Sequence, residues 1–290
     1  MPIRAIAIAA AAAAAAGLLF AQPVLADDCP GNPDALGVSR TVEIDTTGGP
    51  GFGLEQYKMY DFLQPGEIVL TFDDGPWPGN TPAVLKALKD NCTKATFFTI
   101  GKHALWHPDI LKQVAADGHT IGTHTFSHAN LAKGKLKGEP GRAEIEKGVS
   151  GVKFALGAAP APFFRFPYLQ DPDDVVGYLG SRNLAIFSMD VDSFDFKHRD
   201  PKKVIKTVMD KIAKKGKGIV LMHDFQKSTA LALPDLLKEL KAKGYKVVHL
   251  TAKSSAVSIA TYDEAIKNEF AGPMGDAKPL ASVVKTITGK

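Results

Sequence analysis

Two adjacent carboxylates, Asp73 and Asp74, stand at the abrupt end of an apolar run in the sequence Thr71-Phe72-Asp73-Asp74-Gly75-Pro76. The run 68–70 predicts a buried strand, and the Gly-Pro pair predicts that this strand stops in a turn. At a strand tip both carboxylates can turn toward one site, and two like charges this close require a cation or a shared proton. The pair is therefore either part of a cation site or an ordinary acidic turn.

Two histidines spaced four apart offer further ligands for such a cation. His124 and His128 belong to the sequence His124-Thr125-Phe126-Ser127-His128, and on a helical turn this spacing puts both imidazoles on one face. With one carboxylate they form a two-His, one-Asp set that leaves open positions for water and substrate. The alternative is a pair of unrelated surface histidines, but the nearby Asp73-Asp74 pair favours a metal site.

The elements that must position these residues follow a regular rhythm from Glu67 onward, in which short β-prone runs alternate with amphipathic helical stretches. The predicted strands are Ile68–Phe72, Ala95–Ile100, His119–Gly122, Phe163–Phe166, Leu184–Phe187, Gly218–Met222 and Tyr245–His249. The predicted helices are Thr81–Lys89, Pro108–Ala116, Arg142–Leu156, Asp171–Leu179, Pro201–Lys214 and Pro234–Lys243. This alternation predicts an α/β fold with a parallel sheet, and seven strands favour closure into a barrel.

The candidate functional residues all follow predicted strands. Their positions are Asp73 and Asp74 after the first strand, His124 and His128 after the third, Arg165 and Tyr168 after the fourth, Asp190, Asp192 and Asp195 after the fifth, and His223 and Asp224 after the sixth. Barrel enzymes build their active sites at the carboxyl ends of the strands. The clustering therefore predicts one site at that end of the barrel.

Bulk properties restrict the class of protein. The 290 residues are 45% hydrophobic and 23% charged, which is typical of a globular protein. A net charge of +4 is far from the clustered basic surface of a nucleic-acid binder. We expect one catalytic domain at 66–258, an irregular N-terminal extension at 27–65 and a C-terminal tail at 259–290, in which Tyr262–Glu269 is a candidate for a short helix. The sequence does not indicate an oligomeric state.

The first 26 residues have the layout of a secretory signal peptide. A basic start at 1–4 precedes an alanine-rich run at 5–20, and Val24-Leu25-Ala26 offers a cleavage point after Ala26. We expect a secreted protein, periplasmic or extracellular, with no stable membrane insertion after cleavage. The alternative is an uncleaved membrane anchor. Export permits a disulfide between the two cysteines, Cys29 and Cys92, although two free thiols are an equal expectation.

The motifs resemble those of a known family. Thr71-Phe72-Asp73-Asp74-Gly75-Pro76, His124-Thr125-x-x-His128, Arg165-Phe166-Pro167-Tyr168, Asp192-Ser193-Phe194-Asp195-Phe196 and Leu221-Met222-His223-Asp224 resemble, in order and spacing, the five motifs of the polysaccharide deacetylases. This is the NodB-homology domain, or carbohydrate esterase family 4, and the resemblance covers about residues 66 to 250. It implies a distorted seven-stranded (β/α)7 barrel.

The resemblance also implies roles for individual residues. Asp73 corresponds to the family's general base, and Arg165 to the residue that positions this base. Asp74, His124 and His128 correspond to the metal ligands. His223 corresponds to the general acid and Asp195 to the carboxylate that orients it, while the backbone N–H of Tyr168 corresponds to an oxyanion donor.

One position departs from the family pattern, because Phe196 stands where the family usually has Trp after the fourth-motif Asp. Trp77 offers an alternative aromatic face for a sugar, or is plain packing. The resemblance implies a hydrolase that removes N-acetyl groups from an acetylated glycan: a chitooligosaccharide, peptidoglycan or an exopolysaccharide. The metal is expected to be zinc, with cobalt, nickel or another divalent ion as alternatives. The alternative functions are an O-acetyl esterase acting on a glycan such as acetylxylan, and a non-catalytic glycan-binding module.

Overall fold

The structure, a computed structural model, describes residues 29–270. The predicted signal peptide and residues 271–290 of the predicted tail lie outside this range. The strands are β1 (Arg40–Ile44), β2 (Gly51–Phe52), β3 (Glu67–Asp73), β4 (Thr96–Thr99), β5 (Thr120–Thr123), β6 (Phe163–Phe164), β7 (Ala185–Phe187), β8 (Val191–Asp192), β9 (Gly218–His223) and β10 (Lys246–Ala252). The helices are α1 (Asn80–Asp90), α2 (Gly101–Trp106), α3 (Pro108–Ala116), α4 (Glu139–Leu156), α5 (Asp173–Ser181), α6 (Pro201–Lys215), α7 (Lys227–Ala242) and α8 (Ala260–Phe270).

The sheet is parallel and is centred on β3. One edge of β3 pairs with β9. The other edge pairs with β10 at the start of β3 and with β4 at the end of β3. From β4 the sheet continues through β5, β6 and β7, while β8 pairs with β9. Within residues 29–270 no ladder joins β7 to β8, and β2 pairs with the outer edge of β7. This opening makes the barrel distorted, as predicted.

Alternate residues of β3 belong to two different hydrophobic clusters, as expected for a strand that is buried on both faces. Ile68, Leu70 and Phe72 pack against the surrounding helices with residues such as Leu88 of α1. Val69 instead packs inside the barrel, in the cluster that contains Phe98, Phe187 and Leu250. The strand pleat therefore directs Thr71 and Asp73, which share the face of Val69, into the barrel interior.

All seven predicted strands are confirmed, with ends that differ by a few residues. Residues 29–65 are largely irregular, as predicted, but two short strands attach them to the sheet: β1 pairs with β10 and β2 pairs with β7. The two residues of β2 are too few to show any periodicity, and glycines and prolines surround them. The segment is therefore held by strand pairing that its own sequence does not reveal.

The helix predictions hold with two exceptions. The predicted start at Pro234 is wrong, because α7 begins at Lys227 and includes this proline in its interior. The buried face that contains Ala230, Leu233 and Leu237 runs through the proline position, so packing outweighs the missing backbone hydrogen bond. Helix α2, which has only six residues, was not predicted.

Cys29 and Cys92 form a disulfide that joins the N-terminal segment to the end of α1. Cys92 precedes β4, so the bond lies at the amino ends of the strands. Beside it, the Asn32 side chain donates a hydrogen bond to the carbonyl of Asp90 at 2.9 Å. None of the helices within residues 29–270 combines the length and the apolar character needed to cross a bilayer.

We predict that the double variant Cys29→Ser/Cys92→Ser unfolds about 2–4 kcal/mol more easily, because the bond closes a loop between residues 63 positions apart. Urea denaturation of the oxidised protein and of the variant would measure this difference. The kinetic parameters at a fixed temperature are the control, since the bond lies far from the strand ends that carry the site. Equal unfolding free energies would contradict the prediction.

Candidate metal centre and active site

Asp73 and Asp74 point in different directions although they are neighbours. Asp73 ends β3 and follows the inward face of the strand, so its carboxylate lies inside the barrel. Asp74 has a φ of 75°, which breaks the strand and turns its side chain toward the loop after β5. Its N–H donates to the carbonyl of Phe98 at 3.2 Å. The adjacent carboxylates can therefore serve two different partners.

Asp224 fixes the turn that follows Asp74. Its fully buried carboxylate accepts a hydrogen bond from the N–H of Gly75 at 3.0 Å and another from the hydroxyl of Thr81 at 2.5 Å. A β-carbon on Gly75 would lie 2.0 Å from Asp224 Oδ2, so only glycine fits here. The sequence placed Asp224 at a strand end but assigned it no role. Its role in the structure is to hold the loop that begins with Asp74.

His124 and His128 approach each other across a turn after β5. The prediction that they share a helical turn is wrong, because residues 124–128 form a non-helical turn in which Thr125 and His128 have φ values of 64° and 57°. The hydroxyl of Thr125 accepts a hydrogen bond from the N–H of Ala129 at 3.2 Å and closes this turn. The two rings nevertheless lie 5.0 Å apart between centroids.

Asp74, His124 and His128 together form a candidate metal site. Asp74 Oδ1 lies 3.5 Å from Nε2 of His124 and 3.4 Å from Nε2 of His128. His124 Nδ1 is 2.7 Å from the carbonyl of Arg165 and must donate to it, which leaves the Nε2 lone pair free toward Asp74. Asp74 Oδ1 is buried and has no hydrogen-bond partner among the described residues. These donors fit a divalent cation.

The electrostatics agree with a cation at this point. Burial raises the pKa of Asp74 to about 7; the charge of His223 opposes this shift, and that of Asp73 adds to it. Burial lowers the pKa of His124 to about 3 and that of His128 to about 4, so both imidazoles are neutral ligands near pH 7. Within residues 29–270, no charged side chain of opposite sign contacts this carboxylate, so a buried charge here needs a cation.

Asp73 pairs with a fully buried arginine. Nη1 of Arg165 donates to Asp73 Oδ1 at 2.7 Å and to the hydroxyl of Thr71 at 2.7 Å. The other guanidinium nitrogens donate to the carbonyls of Phe187 and Ser188, and the guanidinium lies 4.2 Å from the centroid of the Phe98 ring. The structure therefore places Arg165 beside Asp73, as the resemblance implied, and fixes one oxygen of this carboxylate.

A second ion pair joins Asp195 to His223. Asp195 Oδ1 is 2.7 Å from His223 Nδ1, and Oδ2 accepts from the backbone N–H of His223 at 2.7 Å and from the hydroxyl of Thr229. Burial alone would lower the pKa of His223, but the hydrogen bond and charge of Asp195 outweigh it and raise this pKa to about 9. His223 is therefore a proton donor at neutral pH.

A cavity of about 320 Å³ brings these groups together. Asp73, Asp74, His124, His128, Tyr168, Phe196 and His223 all line it. Tyr168 has a φ of 60°, and its N–H makes no hydrogen bond to another residue between 29 and 270. Phe196 is half exposed, and its ring meets the ring of His223 edge-on at 5.7 Å. A larger cavity, of about 660 Å³, lies at the amino ends of the strands, and none of these residues lines it.

Two sequence-predicted residues lie elsewhere. Trp77 does not line the 320 Å³ cavity; its ring packs against His103 at 5.2 Å and against His107 at 5.7 Å. Asp190 is a structural residue, because its carboxylate accepts the backbone N–H groups of Leu54 and Ile219. A further contact comes from His103, which lies on α2 and contacts the backbone of Asp74. A helix of six residues gave no sequence signal for this contact.

The fold and the site define a barrel hydrolase with a candidate metal centre at the carboxyl ends of its strands. A family model described as polysaccharide deacetylase matches residues 63–185. A peptidoglycan-N-acetylglucosamine deacetylase of Bacillus cereus is 33% identical over 204 residues, which are 68% of this chain and 72% of that protein. The chain belongs to the polysaccharide deacetylase family.

Other similar proteins share most of this chain. A chitooligosaccharide deacetylase of Azorhizobium caulinodans is 33% identical over 194 residues, covering 66% of this chain and 90% of that protein. The solved structure of a Bdellovibrio bacteriovorus peptidoglycan deacetylase is 35% identical with a TM-score of 0.67, and covers 74% of this chain and 59% of that one. The family match ends before Asp195 and His223, so the geometry of this pair is an independent observation.

We predict that cation binding at pH 5–6 displaces about one proton per ion, because Asp74 is then protonated while both histidines are already neutral. Affinity should fall about tenfold per pH unit below the pKa of Asp74 and level off above it. Calorimetric titration of metal-free protein with Zn²⁺ in two buffers of different ionisation enthalpy would count the protons. Release of two or three protons would show that the histidines bind protons as well.

Proposed function

We propose that this protein is a secreted, metal-dependent hydrolase that removes N-acetyl groups from a GlcNAc-containing poly- or oligosaccharide. One observation carries the proposal. Three potential metal donors, an Arg-paired carboxylate and an Asp-paired histidine line one space of about 320 Å³. Hydrolysis of an amide needs these parts: an electrophilic centre, a base for water and an acid for the leaving amine.

Asp74, His124 and His128 would hold the divalent ion, with zinc as the first candidate and cobalt or nickel as alternatives. When bound, such an ion polarises the acetyl carbonyl and makes water more acidic. The buried Asp74 oxygen, which lacks a hydrogen-bond partner among the described residues, supports this assignment. The two imidazoles bring no charge of their own, so the site would keep a net positive charge with a divalent ion bound.

The remaining residues would move protons and stabilise the oxyanion. Asp73, which is fixed through one oxygen by Arg165, would take a proton from the attacking water. The backbone N–H of Tyr168 would donate to the oxyanion of the tetrahedral intermediate. His223 would then protonate the departing amine, and Asp195 would hold its ring in the required tautomer. The products would be acetate and a free glucosamine unit.

The substrate proposal draws on the similar proteins. Those described above are named for action on peptidoglycan or on chitooligosaccharides, and both polymers contain N-acetylglucosamine. The half-exposed ring of Phe196 at the cavity edge would contact a sugar face. We propose that residues 66–258 form the catalytic domain, and that the leader directs the protein to the periplasm or the outside of the cell, where such polymers occur.

Acetate release from chitopentaose and from peptidoglycan fragments, with Zn²⁺ or Co²⁺ added to metal-free protein, would test the activity. We expect release from at least one of them, accompanied by a mass loss of one acetyl group per event. Release from acetylxylan alone would favour an O-acetyl esterase. No release from any acetylated glycan, despite stoichiometric bound metal, would indicate a glycan-binding module.

We predict that Asp73→Asn binds metal with unchanged affinity but turns over at least 100-fold more slowly, because it loses the base and no ligand. His124→Ala should lose both metal and activity, because a ligand is removed. Metal content by mass spectrometry and acetate release would be measured for both variants. An Asp73→Asn protein without metal would overturn this division between the two neighbouring aspartates.

A further inference from the structure

His103 on α2 makes a contact that the proposed chemistry does not explain. Its Nδ1 lies 2.6 Å from the backbone carbonyl of Asp74, the residue whose side chain belongs to the candidate metal site. A carbonyl oxygen only accepts hydrogen bonds, so Nδ1 must carry the proton and donate. No other donor within the described residues reaches this carbonyl. His103 is therefore its one hydrogen-bond partner there.

The Asp74 backbone needs such a restraint. Its φ of 75° lies in the left-handed region, which costs a non-glycine residue free energy and persists only where surrounding contacts impose it. The N–H of Asp74 is tied to Phe98, and the following N–H, of Gly75, is tied to Asp224. The carbonyl between these two N–H groups is tied to His103. The carbonyl of Asp74 and the N–H of Gly75 belong to one rigid peptide plane, so losing the bond to His103 leaves this plane held through its N–H alone and weakens the restraint on the Asp74 backbone.

Two tryptophans contact the ring of His103. The centroids of the Trp77 and Trp106 rings lie 5.2 Å and 5.3 Å from the centroid of the imidazole. Contacts of this kind with aromatic rings restrict the rotation of the imidazole. Trp77, which was considered as a sugar platform, thus packs on the residue that contacts Asp74.

We propose that His103 is a positioning residue for the metal centre: its Nδ1–H holds the Asp74 backbone in the conformation that aims Oδ1 at the two histidine ligands. Groups that orient metal ligands in this way commonly change metal affinity by about 10- to 100-fold when they are removed. The inference rests on the proposed metal site but requires no particular substrate and no activity.

Two substitutions separate hydrogen bonding from packing. His103→Phe keeps an aromatic ring in contact with the two tryptophans but has no donor. His103→Asn loses the ring but places an amide N–H near the position of Nδ1. We expect the phenylalanine variant to bind Zn²⁺ about 10- to 100-fold more weakly than the wild type, and the asparagine variant to recover most of that loss. Competition with a chromophoric chelator, starting from metal-free protein, would measure both dissociation constants.

His107→Phe is the matched control. His107 also packs on the Trp77 ring but makes no hydrogen bond with Asp74, so its replacement should leave Zn²⁺ affinity unchanged. Thermal unfolding of each metal-free variant would show whether the barrel is intact. Wild-type affinity in His103→Phe, or binding by His103→Asn that is no tighter than that of His103→Phe, would overturn the inference. Failure of the wild type itself to bind Zn²⁺, Co²⁺ or Ni²⁺ would instead overturn the proposed function.

Discussion

The site depends on one electrostatic constraint: several carboxylates crowd the carboxyl ends of the strands, and each needs a compensating partner away from water. Asp73 has Arg165, Asp195 has His223, and Asp224 has an N–H and a hydroxyl. Removing one member of such a buried pair commonly costs about 3–5 kcal/mol. Asp74 differs from the other three, because one of its buried oxygens has no hydrogen-bond partner within residues 29–270. This oxygen is therefore the candidate ligand for the proposed cation.

Conformational strain accompanies this arrangement. Non-glycine residues with a positive φ are found in the loops that form the site, namely Asp74, Thr125, His128, Tyr168, Leu169 and Phe194. Each of these conformations costs free energy, and the barrel beneath them supplies the packing that holds them. Asp74 and His128 carry candidate metal donors, and Thr125 closes the turn between the two histidines. Tyr168 has a backbone N–H without a hydrogen-bond partner within residues 29–270. The geometry of the donors is thus imposed by tertiary contacts rather than by local preference.

The parts of the fold that follow from periodicity were predictable. Alternating apolar runs indicated the seven strands, and the parallel arrangement implied that polar residues after the strands would meet at one end. The two residues of β2 carried no such signal, and the face of α7 continued through a proline that the sequence suggested as a helix start.

The chemistry of the site was predictable from residue types and from the five motifs, but its supports were not. His103 and Asp224 act on the Asp74 loop from α2 and from the end of β9, at positions 29 and 150 residues away in the chain. Contacts over such separations leave no local pattern. The non-helical turn between the two histidines separates them by the same number of residues as a helical turn would. The spacing therefore identified the pair of candidate ligands but predicted the wrong backbone conformation.

The disulfide between Cys29 and Cys92 has a consequence for how the molecule can face its surroundings. It fixes the start of the described chain at the amino ends of the strands, whereas the cavity opens at their carboxyl ends. The disulfide therefore lies at the opposite end of the barrel from the cavity mouth, and a long polymer lying across that mouth would not contact it.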